Sequence, residues 1–223
     1  MDAIVAAALK KWPQVPHCHG WLALDARGRW FMRDERVQAA GPFPRVKGSL
    51  IAHDKLLGFI HRNYAADAAG AWYFQNGPQR VYVQLEAAPY VWRVGESPGF
   101  ALAAHTGEPA GALIGTVLDE HGRLFAATAL GFGIVHTLDT GLAADAIEQD
   151  RTGAWAPVEV PFAELPARYG YVLEPVPGRA KVSANEGATG SAPESAPESS
   201  PGSAPASVAA GAPAPMPGPA PEA

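Results

Sequence analysis

The stretch 71–94, AWYFQNGPQRVYVQLEAAPYVWRV, limits the fold more than any other part of this chain. Trp72 and Phe74 fall on one side of an extended backbone and Tyr73 and Gln75 on the other, because strand side chains alternate with period two. Val81, Val83 and Leu85 share a face, with Tyr82 and Gln84 opposite, and a third run groups Tyr90, Trp92 and Val94. Aromatic and β-branched residues at this density suit a pleated, half-buried surface. The stretch therefore reads as the centre of an antiparallel sheet, with Trp72, Phe74, Val81 and Val83 turned to a core. Between the first two runs, Asn76-Gly77 signals a two-residue hairpin. Pro78 restricts Gly77 and removes a ladder donor, so a slightly longer, stiff loop is expected, presenting Gln75, Asn76, Gln79 and Arg80 together.

One small device recurs four times: Asp25-Ala-Arg-Gly28, Asp67-Ala-Ala-Gly70, Asp119-Glu-His-Gly122 and Asp150-Arg-Thr-Gly153. An aspartate opening a type I turn can bond the backbone two residues on, and a glycine three later takes the left-handed conformation that closes it. All four are expected as chain reversals, with a β-branched residue at any of the glycines costing about 1–2 kcal/mol. Their uneven spacing excludes a regular repeat protein and leaves a loose duplication of a hairpin unit open.

Elsewhere, 2–12 reads as a short helix ended by Pro13, and Asp54 can cap a helix to about Asn63 with Leu56, Leu57, Ile60 and Tyr64 on one stripe. Lys55, His61 and Arg62 then fall away from that stripe. Strands are expected near 20–25, 29–33, 100–104, 112–118, 123–128, 133–138, 155–160 and 169–173, with helical turns near 142–149 and 163–168. Strands outnumber helices without βαβ alternation, which gives an α+β fold: an antiparallel, β-rich body built of hairpins with a few short helices.

That body spans 1–178, as one unit or as two sub-lobes of about 1–95 and 96–178. From 179 to 223 the chain is Ala, Pro, Ser, Gly and Glu with almost no large apolar residue, so it cannot offset its ordering entropy and is expected to be disordered. A net charge of −5 with no basic stripe removes the electrostatic footprint of a nucleic-acid partner. Cys18 is the single cysteine, which rules out an intrachain disulfide and favours a reducing compartment. The apolar run 3–9 has the wrong charge order and length for a signal peptide, and no segment reaches the roughly 18 apolar residues of a membrane span. A cytoplasmic protein without a membrane partner follows as the expectation.

The pattern Trp12-Pro13, His19-Gly20-Trp21-Leu22-Ala23-Leu24-Asp25, Asn63-Tyr64-Ala65 and 72–83 (WYFQNGPQRVYV) resembles a proteobacterial family of uncharacterised proteins. The resemblance covers most of the body and not the tail. It implies no activity.

Among groups that could carry chemistry, His17-Cys18-His19 is the most metal-like, since in an extended chain both imidazoles share a face. A structural zinc wants four ligands, and no matching pair exists elsewhere, so no metal is expected. His105-Thr106-Gly107 and His136-Thr137-Leu138-Asp139 read as strand ends, because no nucleophile elbow accompanies them. The richest polar set is His61, Arg62, Asn63 and Tyr64 with Gln75, Asn76, Gln79 and Arg80. A helix end and a sheet loop that converged could bind an anion or a peptide carbonyl through an arginine fork. No residue takes a catalytic role, and no cofactor is expected. The reading is a non-catalytic binding module for a protein or small-molecule partner, using the aromatic sheet face and the Asn-Gly-Pro loop. The alternative is an enzyme acting on a small anion through His61, Arg62 and Arg80.

Overall fold

The computed structural model describes residues 1–177. The expected tail, 179–223, lies outside the described residues. Two six-stranded sheets form the body. The first holds β1 (Cys18–Leu24), β2 (Trp30–Met32), β3 (Ser49–Leu50), β4 (Tyr64–Ala66), β5 (Trp72–Asn76) and β6 (Gln79–Leu85), in the lateral order β3-β2-β1-β6-β5-β4. The second holds β7 (Tyr90–Val94), β8 (Leu102–Ala104), β9 (Leu113–Leu118), β10 (Leu124–Thr128), β11 (Phe132–Val135) and β12 (Pro157–Glu159), in the order β12-β9-β10-β11-β7-β8. Short helices complete the α+β fold: α1 (Ala3–Lys11), α2 (Glu35–Ala40), α3 (Asp54–Arg62), α4 (Thr140–Gln149) and α5 (Leu165–Tyr169).

The stretch 71–94 does not stay in one sheet. After Leu85 the chain leaves the first sheet, and β7 opens the second. The crossing uses Ala87 and Ala88, small enough to be buried within the core, and then Pro89, which has no N–H to give a ladder. Nor is every pairing antiparallel: β1 runs parallel to β6, β7 to β11 and β9 to β12. Alternation of side chains is the same in either direction, so the sequence pattern carries no sign of this.

The two sheets follow one plan. A hairpin (β1–β2, β7–β8) is followed by a three-stranded meander (β4–β5–β6, β9–β10–β11) whose last strand lies parallel beside the first of the hairpin. The orders β2-β1-β6-β5-β4 and β8-β7-β11-β10-β9 match strand for strand. Asp67 and Asp119 sit at the same point of the plan, in the turn between the first two meander strands, so the loose duplication that the sequence leaves open is present as a duplicated topology.

Three of the aspartate turns have the expected chemistry. One carboxylate oxygen of Asp25 accepts from Arg27 and Arg29 N–H at 2.9 and 3.0 Å, that of Asp67 from Ala69 and Ala71 at 2.9 and 3.0 Å, and that of Asp119 from His121 and Arg123 at 3.0 and 2.8 Å. Gly28, Gly70 and Gly122 close them at φ of 75°, 80° and 70°. The fourth differs. Asp150 ends α4 rather than joining two strands, its carboxylate accepts from Trp155 N–H, and Gly153 is not among the positive-φ glycines.

The main core lies between the sheets, where Leu22, Leu24, Phe74, Val83 and Leu85 of the first meet Val91, Val117, Phe125 and Ile134 of the second. Trp72 and Val81 pack against it, as the alternation requires. A second cluster lies on the other face of the second sheet, where Trp92, Ala126 and Val135 meet Ala143 and Ala146 of α4. The end of the body is stitched to the first sheet: Val172 N–H donates to Gly70, and Leu173 accepts from Leu85 N–H at 2.8 Å. The expected last strand is therefore an edge contact beyond the end of β5 and not a named strand.

Candidate functional site

Helix α3 starts where expected, but the cap is His53, whose side chain accepts from Leu56 N–H, and not Asp54. Ile60 is buried, with Leu56, Leu57 and Tyr64 packed on the same core. His61 departs from the expectation. It turns inward and accepts a hydrogen bond from Trp30 Nε1 at 3.0 Å, which fixes its own proton on Nδ1. Its ring lies 5.7 Å from that of His105, edge to face. His105 Nδ1 accepts from Val91 N–H, leaving its enclosed Nε2–H with no partner among the described residues. Burial, then the neighbouring His61, pushes the His105 imidazole down to about 3, and burial likewise lowers His61. Both shifts favour the neutral imidazole.

The rest of the proposed polar set is divided among separate tasks. Arg62, exposed, reaches back to the Asp2 carboxylate. Asn63 is buried, its side chain accepting from Asp2 N–H and donating to the Phe59 carbonyl. Tyr64 donates its hydroxyl to the Pro89 carbonyl. Gln75 is fully buried, and its amide donates to the Gly77 carbonyl. Gln79 donates to the Pro16 carbonyl. The turn is shorter than expected: Asn76 pairs directly with Gln79, so only Gly77 and Pro78 make the reversal. Gly77 takes a φ of 56° and proline supplies the fixed negative φ that follows, the sign pattern of a II′ hairpin. The loop therefore does not present Gln75, Asn76, Gln79 and Arg80 together, and His61, Arg62 and Arg80 do not share one site.

Arg80 alone of this set faces a concave surface. On the outer face of the first sheet, a groove of about 1160 Å³ is floored by Tyr73, Arg80 and Tyr82 of β5 and β6 and by His17 and His19 at the start of β1. Register explains the grouping: Tyr73 lies opposite Tyr82, and Arg80, two residues before Tyr82, points the same way. The parallel pairing of β1 with β6 brings in the histidines, and His19 stacks on Tyr82 with centroids 4.5 Å apart and planes 14° apart. His17 meets the same ring edge-on at 5.9 Å. The groove is also lined by the Asp67 turn and by Pro166, Ala167, Pro175 and Val176.

The electrostatics are one-sided. Arg80 lies 4.5 Å over the Tyr73 ring and has no ion-pair partner among the described residues. The one carboxylate of the groove, Asp67, is occupied by its own turn and by the Tyr82 hydroxyl, which donates to it at 3.1 Å. Burial, and then His17, lowers the His19 imidazole. Tyr73 and Tyr82 are themselves buried in a small cluster with Ala65, Ala71 and Val172, so what remains for a ligand is the guanidinium fork and the two imidazoles. Among the described residues no group of three or more His, Cys, Asp and Glu side chains is placed to hold a metal. The outward alternation of Tyr73 and Tyr82 and the shared face of His17 and His19 are legible in the sequence. The parallel pairing that joins them is not.

A family model described as "Protein of unknown function (DUF2946)" matches residues 1–176. The chain belongs to this family, DUF2944. The match spans the described body, and, like the resemblance in the sequence, it brings no activity with it. No curated protein matches this DUF2944 chain. Two solved structures are similar to it. A DUF1285 family protein from Silicibacter pomeroyi DSS-3 is 13% identical, with a TM-score of 0.42 over 65% of this chain and 84% of that one. A DUF1285 family protein from Shewanella baltica OS155 is 12% identical, with a TM-score of 0.40 over 56% of this chain and 91% of that one.

Proposed function

We propose that this DUF2944 protein is a non-catalytic binding module whose working surface is the outer groove of the first sheet, with Arg80 as its anchoring donor. The observation that carries the reading is Arg80 itself: a guanidinium set over a tyrosine ring in a concave surface, with no carboxylate among the described residues to pair it. Planar forks held this way suit carboxylate or carbonyl oxygens, and the buried tyrosines beneath hold the guanidinium in place. The partner is a protein segment or small molecule, without nucleic acid or membrane. Among the described residues no helix is long and apolar enough to cross a membrane. The compartment we propose is a bacterial cytoplasm, where a lone half-buried thiol such as Cys18, its ionisation disfavoured by burial, stays reduced. Cell fractionation checks the last point.

The test of the module is a ligand-observed NMR screen of small carboxylates and aromatic fragments, with hits mapped on the labelled protein. Shifts should concentrate on Tyr73, Tyr82 and His19 and vanish in Arg80→Ala while the unfolding midpoint holds. Hits scattered over other surfaces, or retained in the Arg80→Ala variant, would sink the reading.

A further inference from the structure

The strand register sets which polar groups stand together in the groove. Cys18 pairs with Val81 in the parallel join of β1 to β6. Successive side chains take opposite faces, so the neighbours on the outer face are His17 with Arg80 and His19 with Tyr82. The rings agree with that register: His19 stacks on Tyr82 at 4.5 Å, and His17 meets the same ring at 5.9 Å. Paired strands lie about 4.8 Å apart, so an imidazole and a guanidinium rooted side by side can reach one small group between them. Tyr73 and Tyr82 are packed with Ala65, Ala71 and Val172, and Arg80 lies 4.5 Å over the Tyr73 ring.

Other polar groups at this end are already taken. Gln75, in register with Arg80 on the β5 side, is buried with its amide on the Gly77 carbonyl. Both oxygens of the Asp67 carboxylate are engaged, one by its own turn and the other by the Tyr82 hydroxyl. Among the described residues none of Arg80, His17 and His19 forms an ion pair. This end of the groove therefore presents donors. A guanidinium edge gives two parallel N–H groups, and an imidazole has an N–H to give in either of its protonation states. A carboxylate or a phosphodiester has two free oxygens, which the fork satisfies by itself. A phosphate monoester has three, and carries close to two negative charges at neutral pH. Of these groups only the monoester uses the fork and an imidazole at once.

Resting on the module reading, we propose that the groove takes the phosphoryl group of a small phosphate monoester, two of its oxygens on the Arg80 fork and the third on the imidazoles of His17 and His19. The Tyr73 ring keeps the guanidinium in place, so the fork loses little freedom on binding. A bare carboxylate is the weaker ligand of the same place. A nucleic-acid backbone, a diester throughout, is disfavoured by the same count of oxygens.

The experiment is a chemical-shift titration of the isotope-labelled full chain at about pH 7.5 and constant ionic strength, read at the Arg80 Nε–H and the His17 and His19 rings. The probes are methyl phosphate, inorganic phosphate, dimethyl phosphate and acetate. The first two should shift these signals saturably and bind roughly tenfold more tightly than the last two. Arg80→Lys, which keeps the charge and loses the fork, should bind methyl phosphate roughly fivefold more weakly or worse. In the double variant His17→Ala, His19→Phe, where the phenyl ring keeps the stack on Tyr82, the preference for methyl phosphate over acetate should shrink at least roughly threefold. Equal affinities for methyl phosphate and acetate, or a preference unchanged in the double variant, overturn the proposal. If either occurs while carboxylate or aromatic fragments still map to the groove, this inference fails and the module reading stands.

Discussion

At the scale of single residues, the contrast between Trp72 and Arg80 separates scaffold from site. Trp72 packs on both hydrophobic clusters and touches Tyr64 and Tyr90, so Trp72→Ala should lose about 3 kcal/mol, the lower part of the usual range because the side chain is not fully enclosed. Arg80→Ala should cost about 0–1 kcal/mol, since its stacking on Tyr73 is open to water. Urea unfolding of both variants measures the difference. A second prediction concerns acid. His61 and His105 have pKa values lowered by folding, so their neutral forms stabilise the protein fully above the unfolded value of 6.5; that stability is lost as the pH falls, for His105 towards about 3. The slope from His105 alone can reach roughly 1.4 kcal/mol per pH unit. His105→Phe should flatten unfolding free energy against pH in this window, at a cost near neutrality of about 1–3 kcal/mol as Val91 N–H loses its acceptor. A slope unchanged in that variant would mean that the acid sensitivity lies elsewhere.

At the scale of elements, the turns are where sequence and structure can be compared most directly. The expectation that any of the four glycines costs the same when replaced does not survive the fold. Gly122 has open space where a Cβ would go, so Gly122→Val meets only the left-handed strain of about 1–2 kcal/mol. A Cβ at Gly70 would collide with the Gly170 carbonyl of the segment that follows α5, so Gly70→Val should be clearly worse and should loosen that segment as well. At Gly153 the obstacle is the Asp150 carboxylate and not φ. Thermal midpoints of the three variants should rank Gly122→Val as the mildest, and a Gly70→Val no worse than Gly122→Val would show that the 170–174 segment yields freely. Element types were legible because alternation and aspartate turns are local: hairpins fell where 25–28, 67–70 and 119–122 required. What could not be read was set at a distance. The parallel β1–β6 and β7–β11 joins, the crossing at Ala87-Ala88-Pro89 and the inward turn of His61 towards Trp30 all depend on residues tens of positions away. The helix Glu35–Ala40, too short for a periodic signal, was missed although Asp34 caps it by accepting from Val37 N–H. Of the eight residues proposed for a site, only Arg80 lies in the groove, because Gln75 and Asn63, polar in the sequence, are taken inside by backbone partners.

At the scale of the whole molecule, the question is whether the two copies of the plan stand alone. The expected sub-lobe division at 95/96 would leave β7 on the wrong side of the cut, since β7 belongs to the second sheet. A cut between the sheets falls at the crossing, 87–89, and gives lengths typical of small domains. The packing argues otherwise. The first sheet's inner face buries Leu22, Phe74 and Val83 against Val91, Phe125 and Ile134 of the second, and α5 adds Leu165 to the same cluster. Tyr171, at the far end of the body, donates its hydroxyl to the Ala87 carbonyl at the crossing and stacks with Phe132. Cutting the chain would expose the central faces of both sheets at once, with several buried aromatic and aliphatic side chains each worth about 1.5–3 kcal/mol. That loss exceeds the net stability of a domain, about 5–15 kcal/mol. The full chain is therefore expected to unfold in one cooperative step, with fluorescence of the tryptophans and far-ultraviolet circular dichroism changing together. Neither half expressed alone should show a folded baseline, whereas the two mixed should regain one by pairing across the main core. A half that folds and melts cooperatively by itself would make the sheets separate domains and leave the central cluster as an interface between them.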